Sequence, residues 1–174
     1  PVTLRSSGTN NVKVEYDSNA QKVLFIYDGS VTYGRVGTVS GTTVSLGTQA
    51  QVSTYDSTYQ TADMTFDTTA NKFVLSYIRN AATVPSFRVL TISGTSVSGG
   101  TEITGSGSLA SATVLSHVTY IPSINKTAFV VSYVGAYFYY HILTVSGTDI
   151  TATAGVQFDG DLPIANGSNY IIVT

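Results

Sequence analysis

One eight-residue string occurs three times along this chain, as RVGTVSGT (Arg35 to Thr42), RVLTISGT (Arg88 to Thr95) and HILTVSGT (His141 to Thr148), with successive copies 53 residues apart. A second anchor runs through VEYDSNAQK (Val14 to Lys22), MTFDTTANK (Met64 to Lys72) and VTYIPSINK (Val118 to Lys126). Each copy of that anchor leads into an apolar run ending in a tyrosine: Tyr27, Tyr77 and Tyr133. The lysines are 50 and then 54 residues apart, and the third copy reads as carrying Thr127 and Ala128 as additional residues before its run FVVSY. A unit of this size cannot bury its own apolar face, so copies must stack on one another to make a core.

Within each unit the pattern predicts four short strands. Val, Ile, Thr, Tyr and Phe fill short runs bounded by turn residues, and no 3.6-residue periodicity competes. In the second unit the strands are expected near 62–66, 72–78, 86–92 and 96–103. The turn DTTAN (Asp67 to Asn71) between the first two uses side chains that bond their own backbone. Ser93-Gly94 is expected to make the next hairpin, where glycine takes positive φ without a Cβ clash. The stretch from Gly105 to Thr113, rich in Gly, Ser and Ala, reads as a connection between units.

The whole chain, 1–174, therefore reads as one all-β repeat domain, with units at about 12–61, 62–113 and 114–158 and partial units at 1–11 and 159–174. Four-stranded antiparallel units in tandem predict a β-propeller-like fold, and stacked β-solenoid layers are the alternative. NYIIVT (Asn169 to Thr174) falls where the first strand of a further unit belongs, and PVTL (Pro1 to Leu4) where a last strand belongs. With Pro1 in place of an initiator Met, this suggests a processed chain or part of a longer product. Open strand edges pair with other chains, so other copies of this chain or other proteins are the expected partners, and a homo-oligomer is expected.

Composition narrows the function classes. Charged residues make up 10% of the chain, against about 25% in ordinary soluble domains, and the net charge is −2. That balance supplies no footprint for a nucleic-acid backbone and no polybasic cluster for an anionic membrane. No apolar run approaches the ~18 residues of a membrane span, so neither nucleic acid nor membrane insertion is expected. The chain contains no Cys, which removes thiolate chemistry, disulfides and Cys-based zinc sites.

The segments YDSNAQKVLFIYD, GRVGTVSGTTVSLGT, FDTTANKFVLSYI and RVLTISGTSVSGGT resemble the tandem β-propeller-type repeats of bacteriophage tail-fibre and other receptor-binding proteins. The resemblance spans about Val12 to Val156 and rests on structural repeats, so it specifies no chemistry. It implies a virion-associated fibre or adhesin module at an extracellular, virion-surface location. The third unit departs from it at Ile121-Pro122 and at the TATAG that follows HILTVSGTDI. The absence of Trp separates the chain from WD, Kelch and Asp-box propellers.

Few residues carry chemistry. His117 and His141 read as polar, outward positions on strands, His141 because Arg35 and Arg88 fill the same place in the other copies. Glycoside hydrolysis needs two facing carboxyl groups, and Glu15 and Asp63 fall at different positions of their units, so no catalytic pair is assigned. The Asp-led turns YDSNAQ and FDTTAN lack the acidic count and glycine of a calcium loop, and Asp159-Gly160-Asp161 is too sparse a pair to assign as a metal site. No cofactor is expected. Aromatic residues are more suggestive, because GAYFYYHI concentrates them between two strands of the third unit. Alternation puts Tyr137, Tyr139 and His141 on one face and Phe138 and Tyr140 on the other. A tyrosine offers an apolar plate and a hydroxyl to a sugar, which makes Tyr137, Tyr139 and His141 the leading ligand-binding candidates. Tyr33, Arg79 and Asn80 join them, since DGSVTYG and RNAATVPS vary in length and type on a repeating frame.

Three function classes stay open: a non-enzymatic virion fibre or receptor-binding module that engages host surface glycans, a purely structural fibre or decoration protein, and a polysaccharide-degrading tail spike.

Overall fold

The computed structural model describes residues 3–4, 11–29, 31–54, 62–79, 84–106, 114–133 and 138–157. These form three antiparallel sheets, one per unit. The first contains β1 (Val12–Asp17), β2 (Lys22–Asp28), β3 (Thr32–Ser40), β4 (Thr43–Leu46) and β5 (Ala50–Gln51). The second contains β6 (Asp63–Asp67), β7 (Lys72–Ile78), β8 (Pro85–Ser93), β9 (Ser96–Gly99) and β10 (Ile103–Thr104). The third contains β11 (Val114–Ile121), β12 (Lys126–Tyr133), β13 (Phe138–Ser146), β14 (Asp149–Ala152) and β15 (Val156–Gln157). Each is a meander whose last two strands both pair with the third.

The expected fourth strand is thus two strands rather than one. In the second unit the chain leaves β8 after Gly99 and returns at Ile103. The Gly100 carbonyl is turned to accept a bond from Arg88 Nε at 2.7 Å, while the Gly100 N–H donates to Val89 O at 2.8 Å.

The local turns follow from side-chain chemistry. Asp17 Oδ1 accepts the N–H groups of Asn19 and Ala20 at 2.9 and 2.8 Å, and Asp67 Oδ1 accepts those of Thr69 and Ala70 at the same distances. Each turn ends on a left-handed residue, Gln21 or Asn71. The third unit has no Asp at that place, and Pro122–Ile124 forms a single 3-10 turn instead, again closed by a left-handed residue, Asn125. The later hairpins close one residue beyond the expected Ser93-Gly94. Ser93 still pairs with Ser96, so Gly94-Thr95 is the loop. Gly41, Gly94 and Gly147 have φ of 57°, 61° and 63°, the glycine-first arrangement of a type II′ turn.

Register corrects one alignment. Phe73 pairs with Leu90 and Thr127 with Leu143, and Leu90 and Leu143 hold one position of the recurring string. Thr127 therefore stands where Phe73 stands, and Val131 where Tyr77 does. Thr127 and Ala128 are not additional, and Tyr133 lies beyond the Tyr77 position. Backbone pairing counts residues along the ladder, whereas the likeness of FVLSY to FVVSY is only compositional.

Two cores result. Leu24, Ile26 and Val36 of the first sheet meet Met64, Phe66, Phe73, Leu75 and Tyr77 of the second. The opposite face of the second sheet, with Val74, Phe87 and Val89, meets Val118, Phe129, Val131 and Leu143 of the third. The central sheet is covered on both faces, which is why β7 is an almost unbroken apolar run with every residue after Lys72 buried. Each fully buried large side chain contributes about 1.5–3 kcal/mol. Backbone also meets backbone between units: a Cβ at Gly47 would overlap the Thr95 carbonyl, and one at Gly100 the Thr148 carbonyl.

Candidate functional site

The first strands of the three sheets bring together one repeat position. Lys13, Asp63 and His117 each stand immediately before the residues Val14, Met64 and Val118 that open the second anchor. Asp63 projects from β6 with its side chain 7% exposed, and both its oxygens are used. Oδ1 lies 3.4 Å from Lys13 Nζ on β1. Oδ2 lies 2.8 Å from His117 Nδ1 on β11 and accepts the Val118 N–H at 3.2 Å. Glu15 lies near enough for the Asp63 charge to act on it. Its carboxyl pKa is raised by burial, an effect opposed by a hydrogen bond from the Tyr16 backbone and reinforced by Asp63. Among the described residues no group of three or more His, Asp or Glu side chains could hold a metal ion. This arrangement ties three sheets together and orients one imidazole. The second anchor aligns Asp63 with Lys13, but nothing in one dimension brings the two, 50 residues apart, into contact.

A second feature is an open groove of about 510 Å³ lined by Thr54, Arg79, Glu102, Ile103 and Thr104. Thr54 follows the last strand of the first sheet, Arg79 follows β7, and Glu102 precedes β10. Glu102 Oε2 accepts the Thr54 N–H at 2.9 Å. Its Oε1 is buried and has no hydrogen-bond partner among the described residues. The groove is thus lined by a guanidinium, a carboxylate, two threonines and an isoleucine.

Of the candidates expected from sequence, Arg79 lines this groove. Tyr137 and Asn80 lie outside the described residues. Tyr33, on β3, packs against Tyr27 with ring centroids 6.1 Å apart. Tyr139 is half-buried beside the core between the second and third sheets, and its hydroxyl donates to Gln157 Oε1 at 3.1 Å. His141 corrects the expectation of an exposed aromatic face. It is 1% exposed, with its ring 5.7 Å from Phe87 and 6.1 Å from Phe129. Burial lowers its pKa, opposed by the bond to Thr153 O. The face it shares with Tyr139 is the one that receives the second sheet.

The polar repeat position holding Arg35, Arg88 and His141 is accordingly a brace rather than an outward place. Arg35 Nε donates to Gly47 O at 3.0 Å, Arg88 Nε to Gly100 O at 2.7 Å and His141 Nδ1 to Thr153 O at 2.9 Å. Each bond spans 12 residues. The arginines reach further, to Leu4 O and Val52 O, both at 3.2 Å. Glu102 and Thr54 were not legible as a site, because only the stacking of two sheets brings them within bonding distance.

Compared with family models, with curated proteins and with solved structures, the chain matches none.

Proposed function

We propose that the chain is a non-enzymatic binding module of a virion fibre or receptor-binding protein, exposed at the particle surface, and that it engages host surface glycans. The observation that carries the glycan reading is the groove of Thr54, Arg79, Glu102, Ile103 and Thr104. A pyranose needs acceptors and donors for its hydroxyls and an apolar contact for its C–H face. The Glu102 carboxylate, the Arg79 guanidinium and Ile103 line one depression. The masses of repeated β-structure behind it act as a rigid scaffold, and weak single sites gain by multivalent display. The attribution to a virion comes from the resemblance of the repeats to phage fibre sequences.

The finer architecture belongs to the same proposal. Successive meanders pack in sequence order, with β1, β6 and β11 as neighbours joined through Asp63, and this suits blades of a β-propeller whose first strands lie innermost.

The test is binding of the purified chain to an array of bacterial lipopolysaccharides and capsular polysaccharides, with Glu102→Gln and Arg79→Ala alongside. Binding that falls at least about tenfold in both variants, the loss expected for a charged group that hydrogen-bonds ligand, supports the reading. Binding unaffected by either substitution, or no binding to any of the polysaccharides, overturns it.

A further inference from the structure

The two inner sheet-to-sheet contacts of this molecule define a packing operation that its outer sheets leave unfinished. In the second sheet, Ala62, Met64 and Phe66 are 2%, 5% and 6% exposed, because they face Leu24, Ile26 and Val36 of the sheet before them. The same positions in the first sheet are Val12, Val14 and Tyr16. They are equally apolar, yet 46%, 56% and 51% exposed. A solvated sheet face is ordinarily polar, and here the exposed face of β1 is the apolar one.

The opposite end carries the matching half. Register places Ala128, Val130 and Ile142 of the third sheet at the positions of Leu24, Ile26 and Val36 in the first. Leu24, Ile26 and Val36 are at most 1% exposed beneath the second sheet, while Ala128, Val130 and Ile142 are only half-buried. One brace on the first sheet's outer face is filled from within the chain. Arg35 reaches the Leu4 carbonyl at 3.2 Å in the way that Arg88 reaches Val52 of the preceding sheet at 3.2 Å.

We infer that the outer face of the first sheet, centred on Val12, Val14 and Tyr16, docks the outer face of the third sheet of a second copy of this chain, centred on Val130 and Ile142. The contact repeats the molecule's own sheet-to-sheet packing between molecules. It is heterologous, with one face of each copy meeting the other face of the next, so it generates a closed ring or an open filament according to the rotation per copy. A contiguous apolar face of this kind is what association sites expose. This inference goes beyond the glycan reading and does not rest on it, since its readout is mass and not ligand binding.

The experiment is sedimentation of the full chain over a wide dilution series, with Val14→Arg and Ile142→Arg measured singly and mixed. The wild-type mass is expected to rise above 18.3 kDa with concentration. Each variant keeps one intact face and is expected to stay monomeric alone. An equimolar mixture is expected to form a complex of two chains, because the intact third sheet of V14R fits the intact first sheet of I142R. A wild-type chain that stays monomeric at every concentration overturns the inference. So does either variant assembling alone, or a mixture that forms no complex. Circular dichroism checks folding, and Ala128→Arg replaces I142R if that variant loses its strand signal; V14R, at the most exposed of the positions, serves in both cases.

Discussion

Asp63 Oδ2 stands 2.8 Å from His117 Nδ1 although the two residues occupy the same position of adjacent repeat units. A repeat normally places identical side chains side by side, and identical charges there would repel. This chain alternates instead, with Lys13, Asp63 and His117 along three neighbouring strands, and the one acid is the buried member that both bases reach.

Asp63→Ala is expected to lower unfolding free energy by about 1–3 kcal/mol, the cost of stranding buried donors. The share from Lys13, whose side chain is 43% exposed, is small, because exposed ion pairs contribute at most about 1 kcal/mol. His117 and the Val118 N–H carry the rest. Denaturant unfolding of D63A, H117A and the double variant measures the coupling. A D63A protein as stable as wild type would show that the junction is incidental.

Acid should destabilise the fold through His141. Burial holds its folded-state pKa below the ordinary value of 6.5, so the unfolded chain takes up the proton first as pH falls. The stability due to the neutral imidazole is full above pH 6.5 and is lost as pH drops from there toward the folded-state value. Melting temperature followed from pH 8 to pH 5 should decline in that window. His141→Gln, which cannot charge, should flatten the decline, and an unchanged slope in that variant would refute the assignment.

Gly100→Ala is expected to destabilise by about 1–3 kcal/mol, the usual range for overpacking. The new Cβ would collide with the Thr148 backbone carbonyl, which has no rotamer by which to yield. Gly94→Ala tests a different cost, because nothing lies within 4 Å of its Cβ position and only the φ of 61° resists. Thermal melts in which G100A matches wild type would show that the second and third sheets are less tightly joined than this contact requires.

Much of the strand pattern was readable in one dimension. The Asp-led turns, the glycine hairpins and the apolar runs are local, decided by side-chain-to-backbone bonds and by φ preference within a few residues, and the sheets form where those signals put them. The short-range errors have local causes too. The hairpin lies one residue further on because Ser93 and Ser96 complete a last pair, and the third unit's register departs from the compositional alignment because FVVSY imitates FVLSY.

The candidate sites were largely illegible, since they depend on which sheet face meets which. His141 looked outward because its counterparts are arginines. It is buried because its imidazole fills the place where they reach a carbonyl 12 residues on, between Phe87 and Phe129. Glu102 meets Thr54 across 48 residues, and Lys13 meets Asp63 across two sheets.

Repetition in the sequence by itself determined that this protein is all-β, built of three like units with Asp or glycine turns at set places, because hydrogen bonding within a unit is short in range. Tertiary structure alone decided which polar residues are braces, where a groove opens and which apolar faces remain uncovered, because burial and charge pairing are settled only when one sheet is laid against another.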